Sequence, residues 1–203
     1  MAKEKNSEIL VNSFTEESAQ EFRERVLEIA HDDPNTVIPI RIDSYGGSVD
    51  SLMKMIETMD EVDNRFITHC SGKAMSCGAI LLSHGDIRFC GKYSRTLIHN
   101  VSSFSYGDVL DQAQTAHETM RLNKLALGLL ADNCEMTYKE LQAHIKATKG
   151  SKDLIMSANQ SKKFGLVDYV GAPLIQVATY FHVDVVAPKP PLDVEKGKKK
   201  KRK

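Results

Sequence analysis

Two stretches of this chain pass from a short apolar run through a glycine-bearing turn into a helical stripe, and no other feature restricts the fold as much. The first is Val37-Ile-Pro-Ile-Arg-Ile42, then Ser44-Tyr45-Gly46-Gly47-Ser48, then Val49, Leu52, Met53, Ile56 and Met59 at helical spacing. The second runs from Phe66 to Cys70, through the Ser71-to-Gly78 stretch, into Ala79-Ile80-Leu81-Leu82, and ends near His84-Gly85. Strands alternating with helices, with turn glycines after the strands, predict an α/β architecture with a parallel sheet and right-handed crossovers. Pro39 removes one donor and by itself argues for an edge strand or a bulge.

The remaining pattern fits the same class. Glu8 to Asn12 reads as a strand. Thr15 to Ala30 reads as a helix with Ala19, Phe22, Val26 and Ile29 on one face. Ile87 to Cys90, Thr96 to Ile98 and Leu166-Val167 supply further strand. A long helix is expected from Tyr106 to about Asp132, sparsely apolar in its first half, as suits a segment projecting from the body or packing on a partner. Thr137 to Glu140 matches a capping box opening a helix through Ile145. Ser157-Ala-Asn-Gln160 opens a short one ending at Gly165.

Charge narrows the function. Net charge is zero, but seven of the 27 basic residues sit in Lys196 to Lys203, leaving 20 basic against 27 acidic residues in the body. That body has no basic character to suggest nucleic acid, and only the tail could contact it. The expected organisation is a short arm over 1–7, one domain over 8–186 and a disordered Pro/Lys-rich basic tail over 187–203. No apolar run reaches membrane-spanning length, and the first residues lack the apolar core of a signal peptide. The four cysteines, Cys70, Cys77, Cys90 and Cys134, include no Cys-x-x-Cys pair. Reduced thiols and a cytoplasmic location are the expectation, with no membrane partner. No metal or cofactor constellation is visible.

Ser76 lies between a strand and a buried helix, where a hydroxyl can stand exposed at a helix N-terminus. An N-capping serine fits the same pattern. Acyl transfer through serine needs a base, a group orienting that base and N–H donors for the oxyanion. The Cys77 N–H, next in the chain, is one candidate donor, and the Gly46-Gly47 turn offers another, since its backbone can approach a ligand closely. Among seven histidines, His99 directly ends the strand Thr96-Leu97-Ile98, where its side chain can emerge on the same rim. Asp153, just before Leu154-Ile155-Met156-Ser157-Ala158, is a candidate orienting carboxylate, and also an ordinary loop or cap residue.

Four separated motifs occur in one order: Ser44-x-Gly46-Gly47-Ser48-Val49, Gly72-x-Ala74-x-Ser76-x-Gly78-Ala79-x-Leu81-Leu82, Ile98-His99, and Asp153-x-x-Met156-Ser157-Ala158 with Phe164-Gly165-Leu166-Val167-Asp168. Together they resemble the proteolytic subunit of the Clp protease (ClpP) from about Glu8 to Val170. The resemblance implies a ClpP/crotonase-like α/β fold of repeated β-β-α-type units with a projecting helix. It implies a serine endopeptidase with Ser76 as nucleophile, His99 as base and Asp153 as third member, and with Gly47 and Cys77 N–H groups as the oxyanion hole. It also implies self-assembly into stacked heptameric rings acting on proteins or peptides. Tyr45 stands where the family has proline, Cys77 where methionine is common, and Asn100-Val101 in place of Gln-Pro. Only seven residues precede Glu8, where relatives carry a pore hairpin and a first helix, so a Clp-type ATPase partner stays open. A crotonase-fold enzyme acting on acyl thioesters and an inactive scaffold subunit stay open as well.

Overall fold

A computed structural model describes residues 8–148 and 150–174. The expected arm over 1–7, the expected end of the domain at 186 and the expected tail over 187–203 lie outside the described residues.

The elements run β1 (Ile9–Val11), α1 (Glu16–Asp32), β2 (Ile38–Ser44), α2 (Val49–Asp60), β3 (Phe66–Met75), α3 (Cys77–Ser83), β4 (Ile87–Cys90) and β5 (Arg95–Ile98), followed by α4 (Val109–Asn133), α5 (Tyr138–Lys146), β6 (Leu154–Ser157), α6 (Ala158–Phe164) and β7 (Tyr169–Val170). They form the expected α/β fold. One sheet has the order β1-β2-β3-β4-β7, with β5 joined to β3 and β6 joined to β5. Every pairing is parallel except β5 with β6. Parallel neighbours need a crossover, which α1, α2 and α3 provide between β1, β2, β3 and β4.

Local sequence explains the helices. Thr15 and Ser18 exchange backbone and hydroxyl bonds at the start of α1, and the expected Ala19, Phe22, Val26 and Ile29 are its buried stripe. In α2 the buried stripe is Leu52, Met55, Ile56 and Met59, while Val49 and Met53 are half-buried. The expected long helix begins at Val109, three residues later than its apolar pattern suggested, because Asp108 caps it by accepting from the Leu110 and Asp111 N–H groups. Its buried residues, Ala126, Leu127, Leu130 and Ala131, all lie in the second half, and Val109 and Leu110 remain exposed.

Pro39 lies inside a strand paired on both sides, and the ladder shows why that is tolerated. The Ile38 N–H points toward β3, donating to Arg65 O at 2.8 Å, so the neighbouring Pro39 nitrogen faces the other side. There β1 pairs only from Ile40 onward, and no ladder bond is lost.

β3 does not end at Cys70, as expected; it continues to Met75 and changes partner on the way. Ile67 to Cys70 pair with β4, and Lys73 to Met75 pair with β5. Gly72 makes the transition possible with φ of 100°, and a Cβ there would come within 2.9 Å of Asp43 Oδ1. Ser94 secures the bend by accepting from the Gly72 N–H at 2.8 Å and donating to Cys70 O at 3.2 Å. This bend steers the chain toward β5 and fixes where Ser76 emerges.

The last strand lies at Tyr169–Val170 rather than at Leu166-Val167, whose side chains are buried in the core. Asp168 sets that register. Its carboxylate accepts from Arg88 Nη2 at 2.6 Å, from Arg88 Nε at 3.1 Å and from the Arg88 backbone N–H at 2.8 Å. Arg88 Nη1 also donates to Asn133 O at 2.8 Å, tying β4 to the end of α4. Burial alone would raise the Asp168 pKa, but the hydrogen bonds and charge of Arg88 outweigh it and hold the carboxyl below its ordinary value. Asp168→Asn is expected to cost about 2 kcal/mol at neutral pH. Because the folded-state pKa is depressed, this stability is present above the unfolded carboxylate value of about 3.9 and disappears as pH falls through the folded one. Denaturant titrations of both proteins should therefore differ at pH 7, begin to approach each other below the unfolded carboxylate value, and converge only once pH has fallen through the lower folded-state value.

Among the described residues no helix is long and apolar enough to cross a membrane.

Candidate active site

Two strand registers bring the candidate residues together. Met75 pairs with Leu97 in the parallel β3–β5 ladder. The Ser76 N–H extends it by donating to Leu97 O at 2.8 Å. Ile98 pairs with Leu154 across the antiparallel β5–β6 ladder. One step beyond those pairs stand Ser76, His99 and Asp153, at three adjacent strand ends.

Ser76 occupies the N-cap position of α3 without capping it: its hydroxyl makes no bond to the helix. Its backbone has φ of 54° and ψ of −120°, a conformation a non-glycine residue adopts only when its surroundings impose it. The ladder bond to Leu97 on one side and the fully buried α3 on the other impose it here. The hydroxyl instead lies 2.8 Å from His99 Nε2. His99 Nδ1 faces Asp153 Oδ1 at 3.6 Å, long for a hydrogen bond but within ion-pair range, with the two side chains 30% and 42% exposed. An imidazole so placed touches a hydroxyl through one nitrogen and a carboxylate through the other.

The Gly46-Gly47 turn closes against this group. Gly46 has φ of 106°, and a Cβ added there would stand 2.7 Å from Ser76 Cβ and 3.3 Å from the Cys77 nitrogen. Ser48, rather than Gly47, gives its N–H to Phe14 O, at 2.9 Å. Cys77 is the first residue of α3 and has no acceptor one turn earlier. Both candidate N–H groups therefore belong to backbone lying against Ser76. The Cys77 side chain contributes as well, since Sγ donates to Gly47 O at 3.3 Å and clasps the glycine turn to α3. Burial raises its pKa, which keeps the thiol in its donating form.

Sequence reasoning missed the groups that hold the segment after His99. Asn123 on α4 accepts from the Val101 N–H at 2.8 Å and donates to Asn100 Oδ1 at 3.1 Å. Gln142 on α5 donates to the same oxygen at 2.9 Å, and both amides reach Tyr138. The Asn100-Val101 pair, singled out as a departure, is thus the anchor of the loop. No sequence signal marks Asn123 or Gln142, because polar residues at those spacings read as solvated helix faces.

A cleft of about 390 Å³ opens beside Ser76 and His99, walled by Tyr45, Gly47, Val49 and Leu122 among others. A larger polar hollow of about 520 Å³ lies at the other ends of β3 and β4. Its imidazole, His84, is held by Asp60 at 3.0 Å, and its Ser83 hydroxyl is spent on Ile80 O at 2.7 Å. No serine faces a histidine in that hollow, unlike the smaller cleft beside Ser76. His69, another of the histidines, lies within β3, and His182 falls outside the described residues.

Comparison with known proteins adds two findings. The family model described as Clp protease matches residues 3–173. ATP-dependent Clp protease proteolytic subunits 2 and 3 of Frankia casuarinae are each 34% identical to this chain over 155 residues, 75% of its length, and the match covers 69% and 70% of those proteins.

Proposed function

Since the chain belongs to the Clp protease family, we propose that it is a serine endopeptidase working through an acyl-enzyme on Ser76. The observation that carries this reading is the 2.8 Å contact between the Ser76 hydroxyl and His99 Nε2, with Asp153 beyond the other ring nitrogen. His99 takes the hydroxyl proton as Ser76 Oγ attacks the peptide carbonyl. The same proton then passes to the leaving amine, and water repeats the sequence to release the acyl group. Asp153 keeps the imidazole in the tautomer that presents Nε2 as acceptor, and steadies it once protonated. The Gly47 and Cys77 N–H groups receive the oxyanion.

The substrates are proteins or peptides, and the working form is a pair of stacked heptameric rings in the cytoplasm. Exposed apolar side chains along the first part of α4, Val109, Leu110 and Met120, supply surface for that contact. The N–H donors would also suit an acyl-thioester enzyme, but such chemistry has no use for a serine–histidine pair.

A fluorophosphonate probe tests the reading. Covalent labelling that maps to Ser76 in the purified oligomer, together with hydrolysis of a fluorogenic peptide, is the expected result. Absence of both would leave the scaffold reading in its place.

A further inference from the structure

The cleft beside Ser76 holds a carboxylate for which hydrolysis has no use. Asp50 lies in the first turn of α2, three residues after Gly47, and lines the same cleft as Ser76 and His99. It is exposed, and among the described residues it forms no ion pair. Arg121 feels its charge but is held elsewhere, donating to Glu118 at 2.8 and 2.7 Å. Apart from the titratable His99, Asp50 is the one charged side chain among the described residues lining the cleft. Hydroxyls, those of Ser48, Ser102, Ser103 and Thr119 beside Ser76 and Tyr45, supply the rest of its side-chain polarity.

Space points the same way. The apolar slot adjoining Ser76 and His99, walled by Val49, Ile80, Ile98, Val101, Ala126 and Leu127, holds only about 10 Å³, barely the room of one water. The roomier space beside Ser76 is the cleft that holds Asp50, about 390 Å³. At its rim Tyr45 is 72% exposed and already accepts a cation on its ring, with Lys73 Nζ 4.4 Å from the centroid.

Building on the peptidase reading, we propose that Asp50 makes this cleft select substrate chains carrying lysine or arginine beside the scissile bond. An unpaired carboxylate gains from an arriving cation and repels an anion. In a site open to water, that difference between opposite charges amounts to roughly tenfold at low salt.

The test uses the assembled protein and three fluorogenic peptides, identical except for Lys, Leu or Glu at the residue donating the scissile carbonyl. The quantity read is the ratio of kcat/KM values. Wild-type protein should favour Lys over Glu by about tenfold at low ionic strength, and the preference should shrink in about 1 M salt. Asp50→Asn should bring the ratio near one, and Asp50→Lys should invert it. A Lys-to-Glu ratio of one in wild type, or a preference that survives Asp50→Lys, overturns the assignment. Fluorophosphonate labelling separates the two levels. Labelling of Ser76 with turnover indifferent to peptide charge removes the role of Asp50 and leaves the peptidase. Neither labelling nor turnover removes both. Should Ser76 label without turning peptides over, the same ratio is read from inactivation rates with Lys- and Glu-bearing peptidyl phosphonates.

Discussion

Ser76→Ala is expected to lower peptidase kcat by about 10³-fold or more while the protein still folds and assembles. The size of the effect follows from what the hydroxyl touches. Its side-chain contact is with His99, so the alanine removes the attacking atom and leaves the ring without its acceptor-side partner. Nothing adjacent can replace it. Cys77, the next residue, has a buried thiol whose pKa is raised and whose hydrogen bond goes to Gly47 O. Folding survives because Ser76 caps nothing, so no helix end loses a partner. The strained φ of 54° costs an alanine no more than it costs a serine. His99 remains partly exposed, and water can satisfy its freed nitrogen. The check is a peptidase assay alongside size-exclusion chromatography and circular dichroism of both proteins. Undiminished turnover would take Ser76 out of the reaction, whatever its neighbours do.

Much of this site was legible before any coordinates, and the legible part has a physical character. The junction into α2 announces itself because backbone that must turn tightly needs glycine, and Gly46-Gly47, both at positive φ, fall where the chain turns into that helix, whereas the turn into α3 is made by Ser76 itself. Register is different, because it depends on partners far away in sequence. Nothing local in Asp153-Leu154-Ile155 says that β6 runs antiparallel to β5, yet that pairing is what aligns Asp153 with His99. Gly72 misled for a related reason. A glycine after an apolar run usually ends a strand, whereas here it lets β3 leave β4 for β5 without stopping. Leu166-Val167 looked like strand because the pair is apolar. Burial in the core explains those side chains equally well, and the ladder forms beyond Asp168, where Arg88 fixes it. Asp50 and Asn123 carried no signal, since a polar residue on an amphipathic helix reads as solvated until the neighbouring loop is seen.

Gly46→Ala is expected to reduce kcat by at least about 10²-fold, through the position of backbone rather than the loss of any reacting group. The new Cβ would sit 2.7 Å from Ser76 Cβ and 3.0 Å from Met75 O. Neither contact can be relieved by choosing another rotamer, because a Cβ and a carbonyl oxygen are both fixed to the main chain. The φ of 106° is a further cost for any residue with a side chain. Either the turn backs away from Ser76, or β3 and α3 move with it. The first outcome carries Gly47 off the Cys77 thiol and separates the two N–H groups proposed to receive the oxyanion. The second breaks the Ser76-to-Leu97 ladder bond that sets the serine against His99. Ground-state labelling distinguishes these routes. A fluorophosphonate should still react with Ser76, slowly, if only the donors have separated, whereas labelling should vanish if the serine has left the histidine. Stability should fall by about 2 kcal/mol or more in either case, read by denaturant titration. Activity within twofold of the parent would mean that the two junctions do not meet at Ser76, and that the oxyanion is held by some other pair of donors.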